Sequence, residues 1–422
     1  MLGFYTDPDF LSKINFILLL FTVKMKKRSK GLAVFVAIIF LFLIVIYKSQ
    51  SNDRTWVKMP QTDTRRSFVS STSEVTANST KPRLNVILLT HMRCGSSVVG
   101  NIFNLHPDVF YIYEPLRALR RAVYGGEWLV LDKPKSDAFR KDFSTLLRDL
   151  FMCSFQEKRT IELVFERWGR RHYNAWYNES TQLTKEWLRK ACNERKITVT
   201  KIMQTRIPRE NGIREVERVC RLDPSKFHCL IVHLVRDPRA VLSSFMGVGF
   251  FLKRSTRKMF SEEPLSAEAI SNVKQKGQML CSLVTGNLDY VNSEWPNWFK
   301  KHYILVRYED AISNMSRAVN DMYKSVGLDM VETISKWLKG VPPPGRATNT
   351  MVISNTTAAA IDKWRSRRSS SLVSLIEEIC GPLMKAIGYI FVNGSETLQH
   401  NNSKPLKTPN IPFLRNLHSK KA

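Results

Sequence analysis

Residues 84–115 read LNVILLTHMRCGSSVVGNIFNLHPDVFYIYEP, and the order of elements in this stretch decides the fold. Leu84 to Leu89 is an apolar run rich in branched residues, the pattern of a buried parallel strand. A polar turn, His91 to Gly95, follows. Ser96 and Ser97 open a helix whose apolar positions, Val98, Val99, Ile102 and Phe103, recur at helical spacing. A second strand, Val109 to Tyr113, ends at Glu114-Pro115. Strand, glycine turn and helix in that order build an anion site. The first N–H groups of the helix lack internal partners and its dipole favours negative charge there. Gly95 permits close backbone approach, the two serines add hydroxyl donors, and Arg93 adds a planar cation. An ordinary βα turn with a serine cap would share this pattern.

The chain has 422 residues, enough for one large domain or two smaller ones once non-globular parts are set aside. Lys and Arg number 65 against 37 acids, a net charge of +28, which calls for an acidic partner or a broadly solvated basic surface. Neither zinc-finger spacing nor an RNP-like aromatic signature is present, so no nucleic-acid partner is expected. The seven cysteines, at 94, 153, 192, 220, 229, 281 and 380, include no CxxC pair, and no metal site is expected. In an oxidising compartment some would pair, with at least one left over. Cys94 is the natural candidate, either with its thiol pKa lowered by Arg93 or simply as a small residue in a tight turn.

Upstream, Ile14 to Val23 is too short to cross a bilayer, whereas Gly31 to Tyr47 is uninterrupted and apolar and reaches the short end of the spanning range. Basic residues from Lys24 to Lys30 precede it and no A-x-A-type site follows. The expectation is an uncleaved single-pass type II anchor with residues 1–30 cytosolic and the rest lumenal. Met25 offers a second start. Residues 48–83, rich in Ser, Thr, Lys and Arg, read as a flexible stem. Six N-x-S/T sequons follow the anchor, at Asn78, Asn178, Asn314, Asn355, Asn393 and Asn401.

The globular part is expected over residues 84–392. Helices are read at Asp142–Cys153, Gln182–Cys192, Gly212–Arg221, Arg239–Met246 and Leu372–Ile387, and an amphipathic one ending at Val326. Ile197–Met203 reads as an alternating strand, His228–Val235 as a central parallel strand and Tyr303–Val306 as a further one. The alternation predicts an α/β fold, a doubly wound, P-loop-like parallel sheet flanked by helices. Residues 393–422, basic at their end, are expected to be disordered. Ligands of such sheets bind beyond the carboxyl ends of the strands, which here carry Arg93–Ser97, Arg236–Ser244 and Arg307–Asp310. Asp237 suits a helix cap and Pro238 the first helical position. An arginine at a strand end and a serine on the following helix, Arg236 and Ser244, can hold one phosphate between them.

Residues 90–115, THMRCGSSVVGNIFNLHPDVFYIYEP, together with residues 234–245, LVRDPRAVLSSF, resemble the Golgi carbohydrate 6-O-sulfotransferases, which act on galactose, N-acetylgalactosamine or N-acetylglucosamine. RYED (307–310) and KWR (363–365) are similar to later landmarks of that family, and the likeness covers roughly 84–390. It implies the sulfonate donor 3′-phosphoadenosine-5′-phosphosulfate. Arg93, Cys94, Gly95, Ser96, Ser97, Val98 and Val99 would form the 5′-phosphosulfate loop. Arg236, Asp237, Pro238, Arg239, Ala240, Val241, Leu242, Ser243 and Ser244 would form the 3′-phosphate motif. The family's loop has Ser where Cys94 stands and Phe where Val98 stands, and a thiol donates weakly. The implied reaction is in-line sulfonate transfer to a sugar 6-hydroxyl in a keratan, chondroitin or other glycan acceptor. Arg93 would stabilise charge on the bridging oxygen and Glu114 would act as base, with His91 and His106 as rivals. The resemblance places the chain in the Golgi membrane with its catalytic domain lumenal, and a homodimer is one expected assembly.

Three other readings stand beside it. A nucleoside-triphosphate-dependent P-loop enzyme would need G-x-x-x-x-G-K-[ST], and no lysine precedes Ser96. A non-catalytic lumenal glycan-binding protein would use the basic surface alone. A tyrosine-directed sulfotransferase would share the donor chemistry. Acceptor choice is expected to lie in loops such as Arg117–Lys133 and Gly247–Pro264, whose Lys253, Arg254, Arg257 and Lys258 could meet an acidic chain.

Overall fold

A computed structural model describes residues 81–124, 136–156, 184–208, 212–248, 264–341 and 361–419. Five strands, β1 (Arg83–Thr90), β2 (Val109–Tyr113), β3 (Ile197–Met203), β4 (Phe227–Val235) and β5 (Tyr303–Arg307), form one sheet in the order β2-β3-β1-β4-β5. Every neighbouring pair is parallel, with Leu89 of β1 opposite His233 of β4. The apolar runs of β1 and β4 thus occupy the two innermost positions on the sheet's right half, buried on both faces as their composition requires.

Among the described residues the α-helices of five residues or more are α1 (Ser96–Asn104), α2 (Leu116–Tyr124), α3 (Ser136–Phe151), α4 (Lys185–Asn193), α5 (Ile213–Cys220), α6 (Pro238–Val248), α7 (Ala267–Ser293), α8 (Tyr308–Ser313), α9 (Met315–Val326), α10 (Glu332–Leu338), α11 (Lys363–Arg367), α12 (Ser370–Ala386), α13 (Glu396–His400) and α14 (Pro412–Ser419). On one face Val86, Leu88, Leu230 and Val232 pack against α1, α9 and α10. On the other, Ile87, Leu89, Ile231 and Val235 pack against α3, α5, α6, α7 and α12. The helix leaving β1 therefore lies on the opposite face from the helix leaving β4, although the two strands are adjacent. This is a topological switch point at the carboxyl edge, the position where open α/β sheets form a ligand-binding crevice.

The fold corrects one expectation and adds two features to the sequence reading. Residues 393–419 are ordered: α13 and α14 belong to this segment, Leu406, Ile411 and Phe413 are buried, and Tyr389 and Lys407 form an antiparallel bridge. Buried Arg307 donates to the carbonyls of Ile387 and Thr408, and Arg365 to those of Leu398, Gln399 and Lys404. Two fixed cations thus supply the partners that basic composition seemed to deny the segment. The alternation of β3 does not mark a wet face, because all seven of its residues are buried. Thr198 accepts from Arg83 and Lys201 pairs with Glu114, so two of the three polar positions are satisfied internally, while the buried Thr200 hydroxyl has no partner among the described residues. The helix α7, 27 residues long, was not recognised from sequence; its low amphipathic contrast reflects a helix packed on α12 along one side and on α5, α6 and β3's connecting turn along others.

Six of the seven cysteines pair, as Cys153–Cys192, Cys220–Cys229 and Cys281–Cys380. The last ties α7 to α12. Among the described residues no helix is long and apolar enough to cross a membrane, and the expected anchor at 31–47 and stem at 48–83 lie, but for the final residues 81–83, outside them.

Candidate active site

The turn after β1 is shaped by two left-handed residues, Arg93 at φ 64° and Gly95 at φ 81°. Glycine at 95 is required twice over. A side chain would strain the backbone, and a Cβ would overlap the ring of Tyr308. No side chain caps α1 and no acid stands in its first turn, so its leading N–H groups, from Ser96 and Ser97, remain to be met by an anion. Cys94 is the free cysteine and is fully buried, its thiol donating to the carbonyl of Leu234 at 3.3 Å. Burial pushes that thiol's pKa up, the reverse of the activation by Arg93 considered above. Cys94 therefore fastens the turn to β4, and replacing serine by a weak donor costs a ligand nothing at this position. Val98 and Val99 point into the core and offer no side-chain contact.

The turn after β4 meets the first. Arg93 Nε donates to Ser244 Oγ at 2.9 Å, and Arg236 Nη1 donates to the carbonyl of Arg93 at 3.1 Å. Arg236 also lies 4.6 Å over the Tyr308 ring and 3.9 Å from Glu309. Residues 151 positions apart thus form one site. Burial, and then the charge of Arg236, lower the pKa of Arg93; two crowded guanidinium groups are a place where an anion relieves repulsion.

The rest of the second motif is scaffold. Asp237 caps α6 through the Arg239 N–H and takes the Arg239 guanidinium on both oxygens, as predicted for its capping role. Arg239, expected to bind the donor, instead joins Asp237, Glu377 and the Ile390 carbonyl beneath Trp364, with almost no exposure. Its donors are consumed by these buried acids, which removes it from the ligand set. Pro238 starts the helix, Ala240 packs with Trp364, and Val241 and Leu242 are core. Ser243 is held by Arg368, whose Nε donates to its hydroxyl at 2.7 Å. Only Arg236 and Ser244 of this motif face the crevice's other cation.

Glu114 also adopts a left-handed backbone, φ 49°, at the end of β2. One oxygen lies 3.2 Å from Lys201 Nζ and the other 2.6 Å from Arg206 Nη1, and all three residues are buried. Lys201 Nζ also reaches Ser97 Oγ at 3.3 Å and sits 4.2 Å over Tyr113. The lysine that the loop itself lacks is thus delivered from β3, beside the loop's own Arg93. Sequence reasoning missed Lys201, Arg206 and Arg368; the available signal was a lysine inside an otherwise apolar and threonine-rich strand, a position that demands a charged partner. The rival bases, like Glu114, have partners of their own. His106 bridges the Asp329 carbonyl and the Asp108 N–H. His91 bonds the Met92 carbonyl, and burial lowers its pKa to about 4.

RYED closes the arrangement from the third strand end. Arg307 pairs with Asp310, Tyr308 fills the space over Gly95, and Glu309 accepts from the Asp237 N–H and from Tyr389. Burial raises the pKa of Glu309 against the opposing pull of Arg236. The exposed sequon residue Asn314 caps α9, and Asn393 and Asn401 are exposed; Asn78, Asn178 and Asn355 lie outside the described residues.

A parallel α/β sheet thus brings two basic turns together at adjacent strand ends. The model of the sulfotransferase family matches residues 85–332, and the chain belongs to that family. Carbohydrate sulfotransferase 1 of Mus musculus is 25% identical over 356 residues, 75% of this chain and 82% of its own. Carbohydrate sulfotransferase 3 of Tetronarce californica is 24% identical over 379 residues, 82% of each chain. Among solved structures, the sulfotransferase domain from the Synechococcus PCC 7002 olefin synthase covers 71% of this chain and 96% of its own, at TM-score 0.37 and 17% identity.

Proposed function

We propose that this sulfotransferase moves a sulfonate group from 3′-phosphoadenosine-5′-phosphosulfate to the 6-hydroxyl of a galactose, N-acetylgalactosamine or N-acetylglucosamine residue in a glycan. The observation that carries this reading is the meeting of Arg93, Arg236 and Ser244 over the uncapped start of α1. A nucleotide with anionic groups at both ends of its ribose needs fixed donors at two neighbouring points, and this crevice offers them. The names of the relatives support a carbohydrate acceptor.

In this mechanism the α1 N–H groups, Ser96 and Ser97 hold the 5′ end, while Arg236 and Ser244 hold the 3′-phosphate. The sugar O6 attacks sulfur as the bond from sulfur to the bridging phosphate oxygen breaks. Arg93 meets the negative charge growing on that oxygen. Glu114 accepts the hydroxyl proton, and the nucleotide leaves as the 3′,5′-bisphosphate. Lys201 and Arg206 fix the Glu114 carboxylate, and Lys201 couples it to the Ser97 hydroxyl. We further place the enzyme in the Golgi membrane with its catalytic domain lumenal. Three disulfides and three exposed sequon asparagines suit an oxidising, glycosylating compartment. The test is a labelled-donor assay against keratan, chondroitin and terminal N-acetylglucosamine acceptors with linkage analysis of the product. Label on a sugar O6 is expected. Label on tyrosine, or polyanion binding with no transfer, would overturn the reading.

A further inference from the structure

A groove of about 750 Å³ lies between the start of α5 and one face of α7, within the size range of small-ligand sites. Gln275, Gln278 and Ser282 stand at i, i+3 and i+7 on α7, so they share one face, and all three are exposed. Tyr290 continues that wall, and Arg214 stands opposite, its guanidinium 6.0 Å from the Tyr290 ring. Among the described residues Arg214 has no carboxylate partner, although its neighbours on α5 pair closely, Arg218 with Glu215 and Arg221 with Glu217. Amide and hydroxyl donors, an aromatic face and one unneutralised cation together match a sugar chain bearing an anionic substituent.

Two observations tie this groove to a ligand and to the active site. Gly286 also lines it, exposed in the middle of a 27-residue helix, where a Cβ would meet nothing within 4 Å. Glycine inside a helix is destabilising by roughly 0.5–1 kcal/mol against alanine. No packing against described residues requires it, and a bare backbone there leaves the groove floor clear. The floor residue Asn287 donates to Gln204 Oε1 at 2.8 Å, and Gln204 opens the short turn whose Arg206 grips Glu114. An occupant of the groove is therefore one side chain away from the turn that positions the catalytic carboxylate.

We infer that this groove is an acceptor subsite for a saccharide carrying a sulfate ester or carboxylate, held chiefly by Arg214. The inference rests on the sulfotransferase reading above and names the acceptor class for it. Binding of three probes to the full chain tests it: keratan sulfate oligosaccharide, hyaluronan oligosaccharide and chemically desulfated keratan. Arg214→Ala should weaken whichever anionic probe binds by about tenfold, the share of one charge-assisted contact near the surface. It should leave desulfated keratan, the melting temperature and the affinity for adenosine 3′,5′-bisphosphate unchanged. Gly286→Leu, filling the floor, should reduce binding of the same probe with no loss of stability. Loss confined to keratan sulfate identifies a sulfate ester, and loss confined to hyaluronan a carboxylate. Equal binding by wild type and both variants would overturn the inference while leaving sulfonate transfer intact. Failure of transfer to every carbohydrate would instead overturn the function it rests on.

Discussion

Gly95→Ala is the sharpest test of how the site is built. The substituted residue would keep a φ of 81°, and its Cβ would overlap the Tyr308 ring. Tyr308 cannot simply swing away, because Arg236 lies over its ring and β5 fixes its backbone. The left-handed conformation costs about 1–2 kcal/mol for a side-chain-bearing residue. Overpacking adds about 1–3 kcal/mol. The sum, about 2–5 kcal/mol, corresponds to a melting temperature lower by about 3–8 °C in a domain of this size. Thermal unfolding of Gly95→Ala, Tyr308→Ala and the double variant separates the two contributions. The conformational cost persists without the ring, but the steric cost does not, so a coupling of about 1–3 kcal/mol is expected. Titration with adenosine 3′,5′-bisphosphate should show weakened binding in Gly95→Ala as the turn is displaced. If Gly95→Ala costs the same in the Tyr308→Ala background, the third strand end does not shape the anion turn and the reasoning fails.

Glu114→Gln should retain nucleotide binding while turnover falls about 10²–10⁴-fold, the usual share of a general base; unchanged turnover dismisses that role. Arg239→Ala should destabilise by about 3–5 kcal/mol in denaturant unfolding, since Asp237 and Glu377 would be left buried and uncompensated. A loss of nucleotide affinity without that destabilisation would return Arg239 to the ligand set. Burial lowers the pKa of His91 to about 4 and of His233 to about 3, so both rings stay neutral in the fold while the unfolded chain protonates them below pH 6.5. Stability should therefore fall as pH drops from 6.5 toward 4, by an amount of order a few kcal/mol, and His233→Gln should flatten the slope measured by denaturant midpoints.

Much of the frame was readable because it is local. The runs 84–89 and 228–235 are too apolar to face water on either side, and the structure buries both apart from half-buried Leu84 and exposed His228 at their starts. β2 and β3 fall on the residues expected of them, and the two basic turns lie at the strand ends predicted. Where reading failed, the deciding partner was distant. The segment 393–419 looked disordered because nothing within it explains order; its carbonyls are held by Arg307 and Arg365. Arg239 looked like a phosphate ligand because only one of its acids, Asp237, is a sequence neighbour; Glu377 lies 138 positions on and arrives from α12. Lys201 looked like one polar position of an alternating strand until Glu114 was brought beside it.

The sequence by itself determined the strand, turn and helix within residues 84–104 and again within 228–246, because helix termini and periodicity act over a few residues. Tertiary structure alone decided which charges face the crevice and which are spent inside. It set Arg93 against Ser244, clamped Glu114 between Lys201 and Arg206, and withdrew Arg239 into the core. The physical reason is that a buried charge must find its counter-charge in space, and no local pattern records which distant strand or helix will bring it.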